Sequence, residues 1–216
     1  RIGQLTMPNP VGVASGTFGF GTEYESLVDV DSLGALYTKA VTPESRPGND
    51  IPRLAETPAG MLNSIGLANP GLAAFIANKL PELRKRRCSV IVNVAGKTED
   101  DYRAVVEALE EEDGIDGYEI NVSCPNVAHG GMAFGTDACL VERLTRSLRN
   151  LTDAGAQHKA RPNRPIIVKL SPNVTDITVA AKGAEAGGAD AVSCINTLVG
   201  MVIDTKKKRP VLAMGT

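Results

Sequence analysis

The feature that most limits how this chain can fold is a series of short, β-branched apolar runs with helical patterns between them. "PVGVAS" (10–15), "ALYTKA" (35–40), "SVIVNVAG" (89–96), "GYEINVS" (117–123), "PIIVKLS" (165–171) and "ADAVSCINT" (189–197) each read as a strand. Several are almost continuously apolar, as parallel strands must be when both faces are covered. Three helices are predicted between them. Thr98 can cap one that runs to about Glu112, with Tyr102, Val105, Val106 and Leu109 as its buried stripe. Asp137 can cap a second, with Leu140, Leu144, Leu148 and Leu151 inward. A third covers about Thr175 to Ala186 and stops at Gly187-Gly188.

Strand–helix alternation of this kind defines a parallel α/β fold. Six strands suit a doubly wound sheet, whereas a (β/α)₈ barrel needs two more, and a barrel lacking them would expose sheet edges and an open core. On the barrel reading, the 216 residues are about six strand–helix units of a longer protein. The Pro- and Gly-rich stretch from Thr42 to Gly71 is a long insertion between the second and third strands, expected to cover one end of the sheet.

Composition excludes several classes of function. With 43% hydrophobic residues and a net charge of -2, the chain suits one soluble globular domain rather than a non-specific nucleic-acid binder. No apolar run reaches the roughly 20 residues that span a bilayer. The dense basic run at 206–209, "KKKR", reads as a solvated loop. Cys88, Cys124, Cys139 and Cys194 form no C-x-x-C pair, and His129 and His158 add no metal pattern. A reducing cytoplasm and no metal are the expectations.

The strand ends carry the chemistry. Ser15, Lys39, Asn93, Asn121, Lys169 and Asn196 lie in or just after successive apolar runs, at the end where parallel α/β proteins place their active sites. One such residue would mean only a capped strand; six at the same end point to a ligand. Converging amides suit a planar heterocycle with alternating N–H and C=O edges, such as a pyrimidine. Lysines suit an anionic substituent or negative charge that develops in reaction. Cys124 follows a strand, precedes Pro125 and stands between Asn121 and Asn126, with the glycine-bearing "HGGMAFGTD" (129–137) as a possible lid. From the residues alone it is either a small buried hydrophobe or a catalytic thiol.

The segments "VASGTFG", "TKAVTPESRPGN", "ETPAGMLNSIGL", "NVAG", "EINVSCPNVAHGGMAFGT", "IIVKLSPN" and "INTLVGM" occur in order along almost the whole chain. Together they resemble class 1 dihydroorotate dehydrogenases. "SCPNVAHGG" and "TPAGMLNSIGL" resemble the class 1B catalytic subunit in particular. The resemblance implies a (β/α)₈ barrel that binds FMN and oxidises dihydroorotate to orotate in pyrimidine synthesis, with residues 1–216 forming part of a single flavin-binding domain. It implies Cys124 as the catalytic base. Ser15, Lys39, Ala40, Asn93, Asn121, Lys169 and Ile195 correspond to FMN contacts. Lys39, Asn63, Ser64, Ile65, Gly66, Leu67, Asn121, Asn126, Asn196 and Thr197 correspond to the substrate site.

The resemblance further implies a homodimer, and a heterotetramer with a partner subunit whose FAD and [2Fe–2S] cluster pass electrons to NAD. Four dispersed cysteines offer no cluster site in this chain. Family members continue past "MGT" with a further helix, two strands and the FMN phosphate site, and the start of this chain looks clipped. The nearest rival is a flavin barrel of the dihydropyrimidine dehydrogenase kind, whose members tend to carry His where Asn126 stands here. A phosphate-binding barrel lyase or isomerase without flavin, and a non-catalytic scaffold of the same fold, are further rivals.

Overall fold

The computed structural model describes residues 1–123 and 134–212. Five strands form one parallel sheet: β1 (Ala35–Tyr37), β4 (Ser89–Val94), β5 (Gly117–Asn121), β6 (Ile166–Lys169) and β7 (Ala191–Ser193), in that spatial order. Between β1 and β4 lie an antiparallel hairpin, β2 (Leu54–Thr57) and β3 (Gly60–Asn63), and two short helices, α1 (Leu72–Asn78) and α2 (Leu80–Leu83). Helices α3 (Glu99–Glu110), α4 (Ala138–Lys159) and α5 (Ile177–Ala186) connect the later strands, and β8 (Ile203–Asp204) pairs with β9 (Arg209–Pro210). Each strand pairs with the next one through a helical crossover, so the sheet grows in one direction, as in part of a (β/α)₈ barrel.

The two faces of the sheet have separate cores. On the outer face Val90, Val92, Tyr118, Ile120, Ile166 and Val168 pack with Val105, Leu109, Leu144 and Leu148 of α3 and α4. On the inner face Ala35, Ile91 and Ile167 form a smaller cluster, closed from below by Ile2, Leu5 and Met7. This explains the continuous apolar runs: alternate residues point to opposite faces, and both are buried.

The helix ends follow the predicted signals. Thr98 and Asp101 form a reciprocal capping box on α3. Asp137 accepts hydrogen bonds from the N–H groups of Cys139 and Leu140 to start α4. The third helix, α5, ends at Gly187 as predicted, and its start is capped by Asp176, which the sequence reading did not name.

One expectation needs correction. "PVGVAS" is not a strand; it touches the sheet only through a parallel bridge from Gly12 to Ala35. Pro10 has no N–H for a ladder, and a Cβ on Gly12 would come within 2.9 Å of the Tyr37 ring. The Thr42–Gly71 insertion contains the β2–β3 hairpin, turned at Pro58-Ala59. Just beyond it, the break between α1 and α2 falls beside Pro81, in the first turn of α2. Lys206, Lys207 and Lys208 of the "KKKR" run lie in the exposed turn of the β8–β9 hairpin, and Arg209 begins β9.

A buried ionic cluster joins the outer layer below the strands. Arg164 Nη1 donates to Leu109 O at 2.7 Å, to Tyr118 Oη at 3.0 Å and to Glu110 Oε1 at 3.2 Å. Its Nη2 donates to Glu112 O. Arg161 holds the other Glu110 oxygen at 2.6 Å. Burial, joined by the Glu110 charge, pushes the Tyr118 hydroxyl far above its usual range, so it stays neutral, donating to Glu110 while it accepts from Arg164. Removing one member strands the others. Arg164→Leu is expected to destabilise the protein by about 3–5 kcal/mol, lowering the melting temperature by roughly 10 °C. Lys85→Ala, which breaks only the exposed pair with Glu82, is expected to cost under about 1 kcal/mol. Similar melting temperatures for the two variants would contradict this account.

Candidate active site

The inner face changes character along the strands. The lower layer is Ala35, Ile91 and Ile167. Two residues further on, the same face presents Tyr37, Asn93, Glu119 and Lys169. Beyond these come Lys39 and Asn121. The apolar floor therefore gives way to a polar layer within one side-chain repeat.

A cavity of about 700 Å³ opens over the C-terminal strand ends. Ser15, Lys39, Ala40, Asn63, Ile65, Gly66, Leu67, Asn121, Lys169, Asn196 and Thr197 line it, so the structure brings most of the sequence-predicted site together. Leu54 and Met61 of the hairpin also line it, which places the insertion over the predicted end of the sheet. Gly16, Thr17, Tyr24 and Ala68 line it as well, without having been singled out in the sequence.

Three of the sequence-predicted residues stand elsewhere among the described ones. Ile195 lines an adjoining cavity of about 300 Å³ instead. Ser64 is buried next to the wall, with its hydroxyl unpartnered. Asn93 is fully buried in the polar layer. Lys169 belongs to both cavities and joins them. Cys124 and Asn126 lie outside the described residues.

The amides are held from several sides. Asn121 Oδ1 accepts from Asn196 Nδ2 at 2.9 Å and from the Ser123 N–H at 3.2 Å. The Tyr102 hydroxyl donates to the Asn121 carbonyl at 2.7 Å. Lys39 has no ion-pair partner among the described residues and faces the cavity, which gives that wall an uncompensated positive charge.

The loop after β3 supplies backbone donors. Asn49 N donates to Ile65 O at 3.1 Å, and Asn49 Nδ2 to Ser64 O at 3.0 Å. Asn69 Nδ2 donates to Leu67 O and to Thr42 Oγ1, both at 2.9 Å. These bonds take the carbonyls of Ser64, Ile65 and Leu67, while the N–H groups of Ile65, Gly66 and Leu67 have no acceptor among the described residues. Gly66 and Leu67 both have positive φ, 73° and 57°, which turns that backbone sharply.

The sequence reading missed Glu119. It is 2% exposed, accepts from Asn93 Nδ2 at 2.6 Å and lies 3.9 Å from Lys169 Nζ. Burial, and then the Glu119 charge, raise the Tyr37 pKa above its ordinary value. A charged residue inside the apolar run "GYEINV", two before Asn121, was the available signal.

A parallel barrel sheet whose cavity at the C-terminal strand ends carries lysines, amides and unclaimed backbone donors has the layout of a barrel enzyme for a small anionic ligand. Among the described residues no group of three or more His, Cys, Asp or Glu could hold a metal ion, and no helix is long and apolar enough to cross a membrane.

Comparison with known proteins agrees and narrows the class. The family model described as dihydroorotate dehydrogenase matches residues 1–216. The chain is 50% identical over 216 residues to a Listeria monocytogenes protein named dihydroorotate dehydrogenase B (NAD(+)), catalytic subunit, covering all of this chain and 68% of that one. Proteins of the same name from Enterococcus faecalis and Desulforamulus reducens are 50% and 49% identical. They match 100% and 98% of this chain, and 66% of their own lengths. A crystal structure of the Eimeria tenella enzyme with ferulenol superposes with a TM-score of 0.72 at 19% identity, over 95% of this chain and 62% of that one, and shows the shared fold. The chain belongs to the dihydroorotate dehydrogenase family and within it is most like the class 1B catalytic subunit.

A Cβ on Gly66 would lie 2.7 Å from both Asn49 N and Asn49 Oδ1, at a φ that disfavours side chains. Gly66→Ala is expected to destabilise the protein by about 1–3 kcal/mol and to speed proteolytic cleavage within 63–69. Wild-type stability and an unchanged cleavage pattern would show that the turn does not need glycine.

Proposed function

We propose that this chain is the FMN-binding barrel of a dihydroorotate dehydrogenase, residues 1–216 forming part of one flavin-binding domain, and that it oxidises dihydroorotate to orotate in de novo pyrimidine synthesis. The observation that carries the reading is the cavity wall: Lys39, Lys169, three asparagines and residues 65–67, whose N–H groups have no acceptor among the described residues, line one cavity.

The residues fit FMN. The cavity has room for a fused ring system, Asn93 Oδ1 is buried without a partner, and nothing lies within 4 Å of where a Cβ on Gly16 would stand. Ser15, Lys39, Ala40, Asn93, Asn121, Lys169 and Ile195 would hold it. When bound, FMN supplies the acceptor for the hydride that leaves C6 of the substrate. Lys169 would offset the negative charge gained in that reduction.

The chain's own residues do the rest. Lys39 and the N–H groups of Ile65, Gly66 and Leu67 receive the substrate carboxylate; Asn63, Asn121, Asn126, Asn196 and Thr197 take the ring edges. Cys124, as thiolate, removes the C5 proton while the C6–H bond gives up its electron pair, leaving the C5=C6 double bond of orotate. A free thiol has a pKa of about 8.5, so the reaction is favoured by alkaline pH. The class 1B likeness supports a cytoplasmic homodimer that joins an FAD- and [2Fe–2S]-bearing partner in a heterotetramer and sends electrons on to NAD.

Anaerobic dihydroorotate is expected to bleach the bound flavin. Bleaching by dihydrouracil instead would transfer the protein to the pyrimidine-reducing barrels, and absence of flavin absorbance would end both readings. Cys124→Ser is expected to keep FMN and slow bleaching severely, with partial recovery at high pH; a normal rate would remove Cys124 as the base. Lys39→Ala is expected to weaken orotate binding at least tenfold, the loss of a charge-assisted contact. Asn78→Ala, at the exposed end of α1, is expected to leave it unchanged. Equal effects would contradict the placement of the carboxylate.

A further inference from the structure

We propose that Glu119 is a positioning residue, fixing the amide of Asn93 and the ammonium of Lys169 for the wall that receives the flavin. The inference rests on the reading above that this cavity takes FMN.

Packing does not call for a charge at this position. The layer directly below is filled by Ala35, Ile91 and Ile167, and an apolar side chain at 119 would continue it. A buried carboxylate is instead costly unless it is paired and hydrogen-bonded. Register brings its partners to it. Asn93 lies directly opposite on β4, and Lys169 follows two residues after Ile167, its opposite number on β6. The two contacts, 2.6 Å to Asn93 Nδ2 and 3.9 Å to Lys169 Nζ, both converge on Oε1.

Each contact constrains the partner's chemistry. A carboxylate has no proton to donate, so Asn93 must turn its NH₂ toward Glu119 and its carbonyl away. That carbonyl oxygen is buried and has no partner. It is an acceptor held in one orientation, suited to a ring N–H. Lys169 is held beside the carboxylate in a site that leaves its side chain only 10% exposed. At 3.9 Å the pairing is loose enough that its donors stay available to a ligand. The charge of Glu119 then bears on the cavity floor and, through Lys169, on how readily a bound flavin accepts electrons.

The test uses the full-length protein reconstituted with FMN, reading the FMN dissociation constant by fluorescence and the flavin midpoint potential by dye equilibration. Glu119→Gln removes the negative charge and keeps the shape. It is expected to favour reduced over oxidised flavin by about tenfold, an upward shift of roughly 30 mV for a two-electron couple. Asn93→Ala keeps the charge and is expected to weaken FMN binding about tenfold with the potential unchanged. A lower melting temperature for E119Q with wild-type potential and affinity would overturn the proposal, leaving Glu119 a structural counterion. If E119Q does not fold, N93A decides, and unchanged FMN affinity in N93A overturns the proposal. Wild-type protein that takes up no FMN would overturn the reading of the site together with this inference, whereas flavin bound identically by wild type and both variants overturns the inference alone.

Discussion

Residues two apart on a parallel strand share a face, and the inner face of this sheet has little room. Along β4 the inward residues are Ile91 and then Asn93; along β5, Gly117, Glu119 and Asn121; along β6, Ile167 and then Lys169. Register sets these side by side, so the apolar floor and the polar wall are consecutive layers of one structure. A one-residue slip of β5 against its neighbours would send Glu119 and Asn121 to the outer face. There Tyr118, Ile120 and Val122 now pack with the helices. The apolar outer core thus enforces the polar inner arrangement, and the site inherits its precision from the helix–sheet packing.

Much of this was legible because the physical signals were local. Thr98 and Asp137 each announce a helix start through a side-chain oxygen near the first free N–H groups. Apolar runs flanked by such caps located β1, β4, β5, β6 and β7. Polar residues at their ends located most of the cavity wall before any fold was known.

What was misread depends on non-local facts. "PVGVAS" has strand composition, yet Pro10 and Gly12 leave it one bridge to the sheet, because Gly12 is pressed against Tyr37. The β2–β3 hairpin was hidden because Leu54 and Met61 stay exposed and show no apolar alternation. Glu119 was overlooked because a charge in a strand reads as a surface residue, and only register reveals Asn93 and Lys169 as its partners. The residue-level matches for Cys124 and Asn126 came from the motif "SCPN".

The site divides between two kinds of support. Asn93, Glu119, Asn121 and Lys169 stand on strands locked by the outer core, and Asn121 is held further by Tyr102 and Asn196. Ile65, Gly66 and Leu67 stand on a loop with no such backing, and side chains substitute for a ladder there. Asn49 takes two of its carbonyls, and Asn69 ties a third to Thr42, near the C-terminal end of β1. Two asparagines therefore do for the loop what strand pairing does for the wall: they hold three of its carbonyls and leave the N–H groups of 65–67 without an acceptor among the described residues. Loop opening frees those carbonyls to water and so costs little, whereas moving the wall means breaking the sheet. Ligand entry is then expected to disturb the 63–69 turn and leave the strand-borne residues fixed, which is the order needed if a cofactor is to stay bound while substrate and product exchange.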